Sequence, residues 1–491
     1  MLHLVQFTKN SFAPINRIPP ELFSLIPQYW DRSSRDKNLI VMTHVCRGWR
    51  DTLTRCSLLW TSLNCVDSNK TRVYIERSRS SPLEVSLYEY KIPCYNMGAF
   101  LRVVPHIDRV DSLTIEGGEF ALQNLTTYFS RPIPLLKDLT IYFQCRSPPT
   151  LSAKLFNGDL SSLCKLTLAG VTLHIPWQNL PNLTAFTLHH VGEGEISVTR
   201  LLDFFSNAPP LNKIELSAIP ETSDASLGRV VSLPSLKTFV IFTDSIYSSI
   251  LLNHLCIPAG ALLHVKFDFP GEDPQLQEVL PKSSENLRNT LHITSAYLEF
   301  SPDRCSVRLN GPSGEFCMCG LQPNWSVPPL VVPQRRFLLS LDYFDLSRVQ
   351  MLVVTAYEYP GLEEIDASSP HHILQITKGL RTLLLNQCNN LPFIFALDPS
   401  KNTSKRVLCS KLKNLVVYND YQEPFNIPDL VNMAKERASN GAKLYSITLV
   451  IRGELLYEED VLKLKEHVVH VECRPWESEP EWDSIPDGGG D

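Results

Sequence analysis

Few residues in this sequence could do chemistry, and they are dispersed. Cys317 and Cys319 are the closest cysteine pair, in a C-x-C spacing. No second pair and no nearby histidine completes a metal-binding set, so buried or incidental thiols account for the pair and no metal is expected. His189-His190 and His371-His372 are adjacent in sequence. As strand neighbours they point to opposite faces, which makes each a poor bidentate site and leaves surface or edge histidines as the simpler reading. The sequence contains no G-x-x-x-x-G-K-[ST] phosphate loop, G-x-G-x-x-G fingerprint, H-E-x-x-H pair or G-x-S-x-G elbow. Aspartates and glutamates are spread without a pair suited to acid–base work. No enzyme and no cofactor are expected.

At 491 residues the chain is too long for one ordinary compact domain. Several domains, or one repeat body whose size no single core limits, would fit. Hydrophobic content of 43% and charged content of 20% are ordinary for a soluble protein, and the net charge of −6 lacks the basic footprint that a phosphate backbone requires. Thirteen scattered cysteines suit a reducing compartment. The run from Met1 to Arg17 has no apolar core of a signal peptide, and no stretch of about 18 apolar residues suggests a membrane span. The sequons at Asn124 and Asn182 are then chance matches. Cytoplasm or nucleus is the expected location, with neither nucleic acid nor membrane as a partner.

What must position any function is therefore the fold. Residues 1–14 are an N-terminal extension, and 15–65 a small helical unit. Pro19 and Pro20 suit a helix entry, Glu21 sits at its positive end, and Leu22, Phe23, Leu25 and Ile26 give an apolar face that Pro27 must end. Arg32 to Asn38 reads as a polar loop. Leu39, Ile40, Met42, Thr43, Val45, Cys46 and Trp49 recur at helical spacing, and Leu58, Leu59 and Trp60 mark a last short turn. So small a unit buries little alone and should pack on something else. By periodicity, a cap on a repeat body and a docking module fit equally.

The ordered set Ile18-Pro19-Pro20-Glu21-Leu22, Val45-Cys46-Arg47-Gly48-Trp49-Arg50 and Leu59-Trp60 resembles an F-box, as found in F-box proteins of fungi. Two features depart from that pattern: Pro27 falls where the first helix usually continues, and the loop Asp31–Asn38 is longer. The resemblance implies docking to the Skp-type adaptor of a cullin-based ubiquitin ligase, with Pro19, Leu22, Ile26, Val45, Cys46 and Trp49 at the interface. The alternative is a non-catalytic leucine-rich-repeat scaffold without a ubiquitin role.

From Val110 a short pattern recurs: apolar, two residues, apolar, one residue, apolar. It runs Val110/Leu113/Ile115, Leu136/Leu139/Ile141, Leu163/Leu166/Leu168, Leu183/Phe186/Leu188, Leu211/Ile214/Leu216, Leu236/Phe239/Ile241 and Leu262/Val265/Phe267. It returns as Val349/Leu352/Val354, Leu380/Leu383/Leu385, Leu412/Leu415/Val417 and Leu444/Ile447/Leu449. The spacing of roughly 20 to 32 residues is close to the leucine-rich-repeat period. The expected fold is α/β: a small helical F-box followed by a leucine-rich-repeat-like solenoid, with a parallel sheet on one face and helices on the other. An α/β domain without repeats is the alternative. Residues 66–109 form a connecting segment, a helix over Thr71–Ser81 and a first strand through Leu83, Val85 and Leu87. Residues 110–473 form the body, with helices over Thr199–Ala208 and Pro428–Ser439 and a strand-rich antiparallel insertion near 287–333. Residues 474–491 are an acidic tail expected to be disordered.

In each triplet the residue between the last two apolar positions points away from the core. That column reads Thr140, Thr167, Thr187 and Glu215 early, then Val353, Leu384, Val416 and Thr448, with Tyr418 and Val450 beside them. An exposed apolar patch is thus expected at Val353, Leu384, Val416 and Tyr418, where an unidentified client protein would bind. Cover by another part of the chain, or a register shifted by one residue, are the alternatives.

Overall fold

The computed structural model describes residues 12–30, 32–88, 93–117, 128–143, 155–158, 160–171, 180–189, 198–217, 228–242, 245–268, 279–301, 304–321, 338, 340–356, 368–386, 391–402, 405–419, 427–451 and 458–475. The chain is an α/β protein with mostly parallel strand pairing, and it divides into two compact units, Met1–Ile196 and Ser197–Asp491. The expected disordered tail, apart from Arg474 and Pro475, lies outside the described residues.

The first unit opens with α1 (Pro20–Leu25), α2 (Arg32–Val45) and α3 (Arg47–Arg55). It continues through β1 (Ser62–Asn64), α4 (Ser68–Ser78), β2 (Leu83–Tyr88), α5 (Pro93–Val103), β3 (Val110–Gly117), β4 (Asp138–Phe143), β5 (Lys165–Ala169) and β6 (Ala185–His189). Each strand pairs in parallel with the next. The stretch Leu83–Leu87 is a strand but not the first one, because β1 pairs ahead of it. Three residues with one buried side chain, Leu63, give no periodic signal. Behind this sheet Phe100, Phe129 and Phe156 stack at centroid distances of 5.3 and 5.6 Å, so consecutive layers share an aromatic spine.

The second unit contains α6 (Val198–Ser206), β7 (Lys213–Ser217), β8 (Val231–Ser232), β9 (Thr238–Phe242), α7 (Ser245–Asn253), β10 (Leu255–Cys256) and β11 (Leu262–Asp268). Then come β12 (Ser295–Phe300), β13 (Arg304–Gly311), β14 (Gly314–Leu321), β15 (Met351–Ala356), α8 (Ser368–Ile376), β16 (Thr382–Asn386) and α9 (Leu391–Leu397). It closes with β17 (Asn414–Asn419), α10 (Ile427–Ser439), β18 (Ser446–Ile451), α11 (Glu458–His467) and β19 (His470–Pro475). The strand order in space is β7-β9-β11-β14-β13-β12-β15-β16-β17-β18-β19. Only β13 in this order runs antiparallel to its neighbours. The strand-rich interruption is thus a three-stranded meander, β12 to β14, laid inside the same sheet. β8 and β10 form a separate parallel pair.

The triplets explain the strands. Their apolar side chains are buried, and the same turn precedes most of them. The N–H of the first residue donates to the carbonyl three residues earlier: Leu136 to Ile133, Leu163 to Leu160, Leu236 to Leu233, Leu380 to Thr377 and Leu412 to Cys409, at 2.9–3.1 Å. The next residue's N–H reaches the equivalent carbonyl of the preceding layer, as in Arg381 to Gln350, Lys413 to Arg381 and Tyr445 to Lys413, each 2.8 Å. In β11 the triplet is displaced. Leu263 and Val265 are the register partners of Phe239 and Ile241, Phe267 adds a third core position, and Leu262 is only half-buried. The strand β19 had no triplet to announce it, since its side chains are exposed or half-exposed.

Arg437 on α10 is fully buried, where an apolar residue would be expected. Its Nη1 donates to the carbonyls of Leu408 (2.8 Å) and Leu397 (3.4 Å), and Nη2 to that of Cys409 (2.9 Å). The guanidinium satisfies turn carbonyls that no strand or helix uses. Burial pulls its pKa down to about 10, so the side chain stays charged at neutral pH. Arg437→Leu removes these donors and leaves the buried Leu397 and Leu408 carbonyls without them, while the Cys409 carbonyl keeps the Leu412 N–H. Denaturant unfolding should show a loss of about 2–4 kcal/mol in the transition of the second unit.

Candidate functional site

Uncovered large apolar side chains are concentrated in the N-terminal segment. Among the described residues eighteen large hydrophobic side chains are exposed, and nine of them lie between Phe12 and Leu58. Such concentration in so short a stretch is a property of this unit, not of scattered surface residues.

The unit is built around a few interior contacts. Pro20 starts α1 and Phe23 is its buried residue. Pro27 ends the helix and opens a 3₁₀ turn, Ile26–Tyr29. α2 then begins at Arg32, so the expected polar loop Arg32–Asn38 is helical. Its polar residues anchor the helix instead of interrupting it. Asp36 forms a close ion pair with Lys70 of α4 and accepts a hydrogen bond from the Tyr74 hydroxyl at 3.1 Å. The continuous helix expected from Leu39 to Trp49 breaks at Cys46, whose extended backbone and thiol, accepting from the Trp49 N–H at 3.5 Å, cap α3. Arg50 Nε donates to the Thr43 carbonyl at 2.9 Å and ties the two helices together.

The helix α2 is apolar on two sides. Leu39, Met42 and Thr43 face inward and are buried. Ile40, Val41 and Val45 are 41%, 57% and 56% exposed. A single-domain helix normally needs one such stripe. Of the residues expected at an adaptor interface, Pro19, Leu22 and Val45 are exposed and Ile26, Cys46 and Trp49 are half-buried. Trp49 also packs on Phe23, with ring centroids 4.8 Å apart, so it supports α1 as well as reaching the surface. Sequence reading did not assign Leu25, Ile40, Val41 and Leu58 to this surface, although all four are exposed. The spacing of Val41, His44 and Val45 was the available signal.

Trp60 fixes this unit to the strands that follow. It is fully buried, donates through Nε1 to the Leu53 carbonyl at 2.9 Å and meets Tyr74 edge-on at 4.9 Å. The Arg77 guanidinium lies over its other contact surface, 4.3 Å from the ring.

The expected client patch is not an exposed surface. Val353 is 3% exposed and Leu384 6%, while Val416 and Tyr418 are half-buried. Tyr297, Val353, Leu384 and Val416 are consecutive partners across β12, β15, β16 and β17. Large side chains on strands about 4.8 Å apart cover one another sideways. The assignment of faces holds: Leu415 and Val417 of β17 are buried at 0–1%, with Val416 between them on the other side.

On that same outward face, His264 of β11, Cys317 of β14 and Arg308 of β13 are consecutive partners. Cys317 and Cys319 are buried, and burial raises the Cys317 thiol to about 12. Among the described residues no group of three or more His, Cys, Asp or Glu is placed to hold a metal ion. His371 and His372 lie on α8, not on a strand, and His372 Nε2 is 3.1 Å from Asp342 Oδ1. His189 is half-buried on β6, and His190 lies outside the described residues. No described helix is long and apolar enough to cross a membrane. No family model matches this sequence, and no curated protein matches it closely enough to count as a relative.

Two predictions follow from these contacts. Trp60→Ala leaves a large cavity at the junction of helices and strands, and urea unfolding should show about 3–5 kcal/mol less stability in the first unit. His264 supplies a pH test. Burial, then Lys266 and Arg308, pull its ring from 6.5 to about 4. Between these values the unfolded chain binds more protons than the folded one. The contribution of His264 is complete above pH 6.5 and is lost as pH falls toward 4. Melts of wild type and His264→Gln should converge in that window, with the wild type losing more stability.

Proposed function

We propose that the chain is a substrate-recognition subunit of an SCF-type (Skp–cullin–F-box) ubiquitin ligase. In this reading the N-terminal helices are an F-box that docks a Skp-type adaptor, and through it a cullin. The parallel-strand body is a leucine-rich-repeat-like solenoid that holds a client protein. The chain binds and positions; it makes and breaks no bonds itself. The observation that carries the reading is the second apolar stripe of α2, Ile40, Val41 and Val45, left uncovered, as is Leu22 of α1. A helix that only capped the repeats would have no use for that stripe, whereas a docking helix needs it. The ordered motif from Pro19 to Trp60 supports the same reading.

The test is binding of the purified full chain to a Skp-type adaptor. Binding at micromolar concentration or tighter is expected. Leu22→Asp and Val45→Asp place charges on exposed positions, so each should leave the melt within about 0.5 kcal/mol of wild type. Each should weaken adaptor binding by about tenfold or more. No binding at micromolar concentration would leave a plain interaction scaffold as the better account, as would full binding by both variants.

A further inference from the structure

The outward face of β11, β14 and β13 differs from the rest of the sheet in its charges. Three rows cross it in register. Leu262, Glu315 and Asn310 form the first, His264, Cys317 and Arg308 the second, and Lys266, Cys319 and Ser306 the third. The middle strand contributes the two small thiols, which are 3% and 4% exposed and form a floor. Longer basic side chains stand on either side: His264 and Lys266 on β11, Arg308 on β13. Strand spacing puts the flanking backbones about 10 Å apart, with the thiols between them.

Of these three basic groups only Arg308 has a carboxylate partner among the described residues, Glu315. His264 is 6% exposed, and its Nε2 is buried without a hydrogen-bond partner. The Arg308 side chain is 11% exposed, and its Nε and one terminal nitrogen are buried without a hydrogen-bond partner. Its Nε stands 3.6 Å from Glu315 Oε1, an ion pair at one edge of the floor, and the guanidinium lies 6.0 Å from the Tyr297 ring. At the far edge Arg304 is paired with Glu299 at 2.5 Å, and Ser306 also donates to Glu299. Among the described residues Lys266 has no carboxylate in ion-pair range. Buried donors without acceptors are costly, and a site that leaves several together is one in which a ligand supplies the acceptors.

We propose that this face binds an oxyanion, a phosphate or carboxylate group, over the Cys317–Cys319 floor. Arg308 and Lys266 supply the charge, and His264 donates a hydrogen bond from its orphaned ring nitrogen. Arginine offers a fork of donors that matches such a group, and lysine a point charge beside it. Burial and the two neighbouring cations hold the empty ring neutral, and a bound anion offsets both. The site lies in the second unit and makes no use of the adaptor-docking helices, so it stands or fails separately from the ligase reading.

The probe is inorganic phosphate added to the full chain, with chloride at equal ionic strength as control. Saturating phosphate should raise Tm by about 2–4 °C beyond the chloride control. Lys266→Ala, at a half-exposed position, should remove most of that rise while melting normally without phosphate. Arg308→Gln should remove it as well. A phosphoserine tripeptide separates the sources of the anion: tighter binding than inorganic phosphate assigns the group to a protein partner, and equal binding assigns it to a free anion. Both outcomes support the site. A shift no larger than that of chloride overturns it, and so does an undiminished shift in Lys266→Ala.

Discussion

The structure depends on one constraint: a short strand with a single apolar face cannot stand alone. Each layer of this chain offers two or three buried side chains, such as Leu383 and Leu385 of β16, and needs a neighbour on both sides to bury them. Parallel pairing supplies the neighbours in one register, so leucines of successive layers fall in line. The turn before each strand sets that register. Its N–H satisfies a carbonyl within the layer, and the following N–H satisfies one in the layer before. Register and burial are therefore enforced by the same few atoms, and a slip of one residue would cost both.

That constraint also explains where polar chemistry was tolerated. Arg437 replaces an apolar contact with three carbonyl acceptors: those of Leu397 and Leu408, and that of Cys409, which also accepts the Leu412 N–H of the turn. The meander β12–β14 is the larger exception. By inserting an antiparallel strand it places residues of unrelated layers side by side, so His264, Cys317 and Arg308 meet in one row. No repeat of the ordinary kind could bring those three together, since consecutive layers are joined by long crossovers and carry their own outward residues.

The sequence made the strands legible wherever two apolar residues flank one outward residue, and the insertion legible from its loss of period and its Gly311–Gly314 turn. It hid β1 and β19, whose strands bury one side chain or none among those described. It also hid the first turns of α2, because Arg35 and Asp36 carry no apolar periodicity and act through an ion pair and hydrogen bonds with α4 and the preceding loop. The exposed apolar patch failed for a different reason. Faces were assigned correctly, but exposure depends on tertiary surroundings that a single strand does not report, and Val353 and Leu384 are buried on their outward face. The orphaned nitrogens of His264 and Arg308 had no local signal at all, since they are brought together by strands far apart in sequence.

The N-terminal helices obey the same logic from the opposite direction. They are too small to bury both sides of α2, so one stripe goes inward and the other stays open. What keeps them folded is attachment to the strand layers: Trp60 closes the gap to Tyr74, and Asp36 binds Lys70 and Tyr74 on the first helix of the stack. This attachment is polar and aromatic at once, with buried ring contacts beside charge-assisted hydrogen bonds, and it leaves little freedom for the helices to swing against α4. A partner seated on Leu22 and Val45 would thus be held at a fixed angle to β1 and β2.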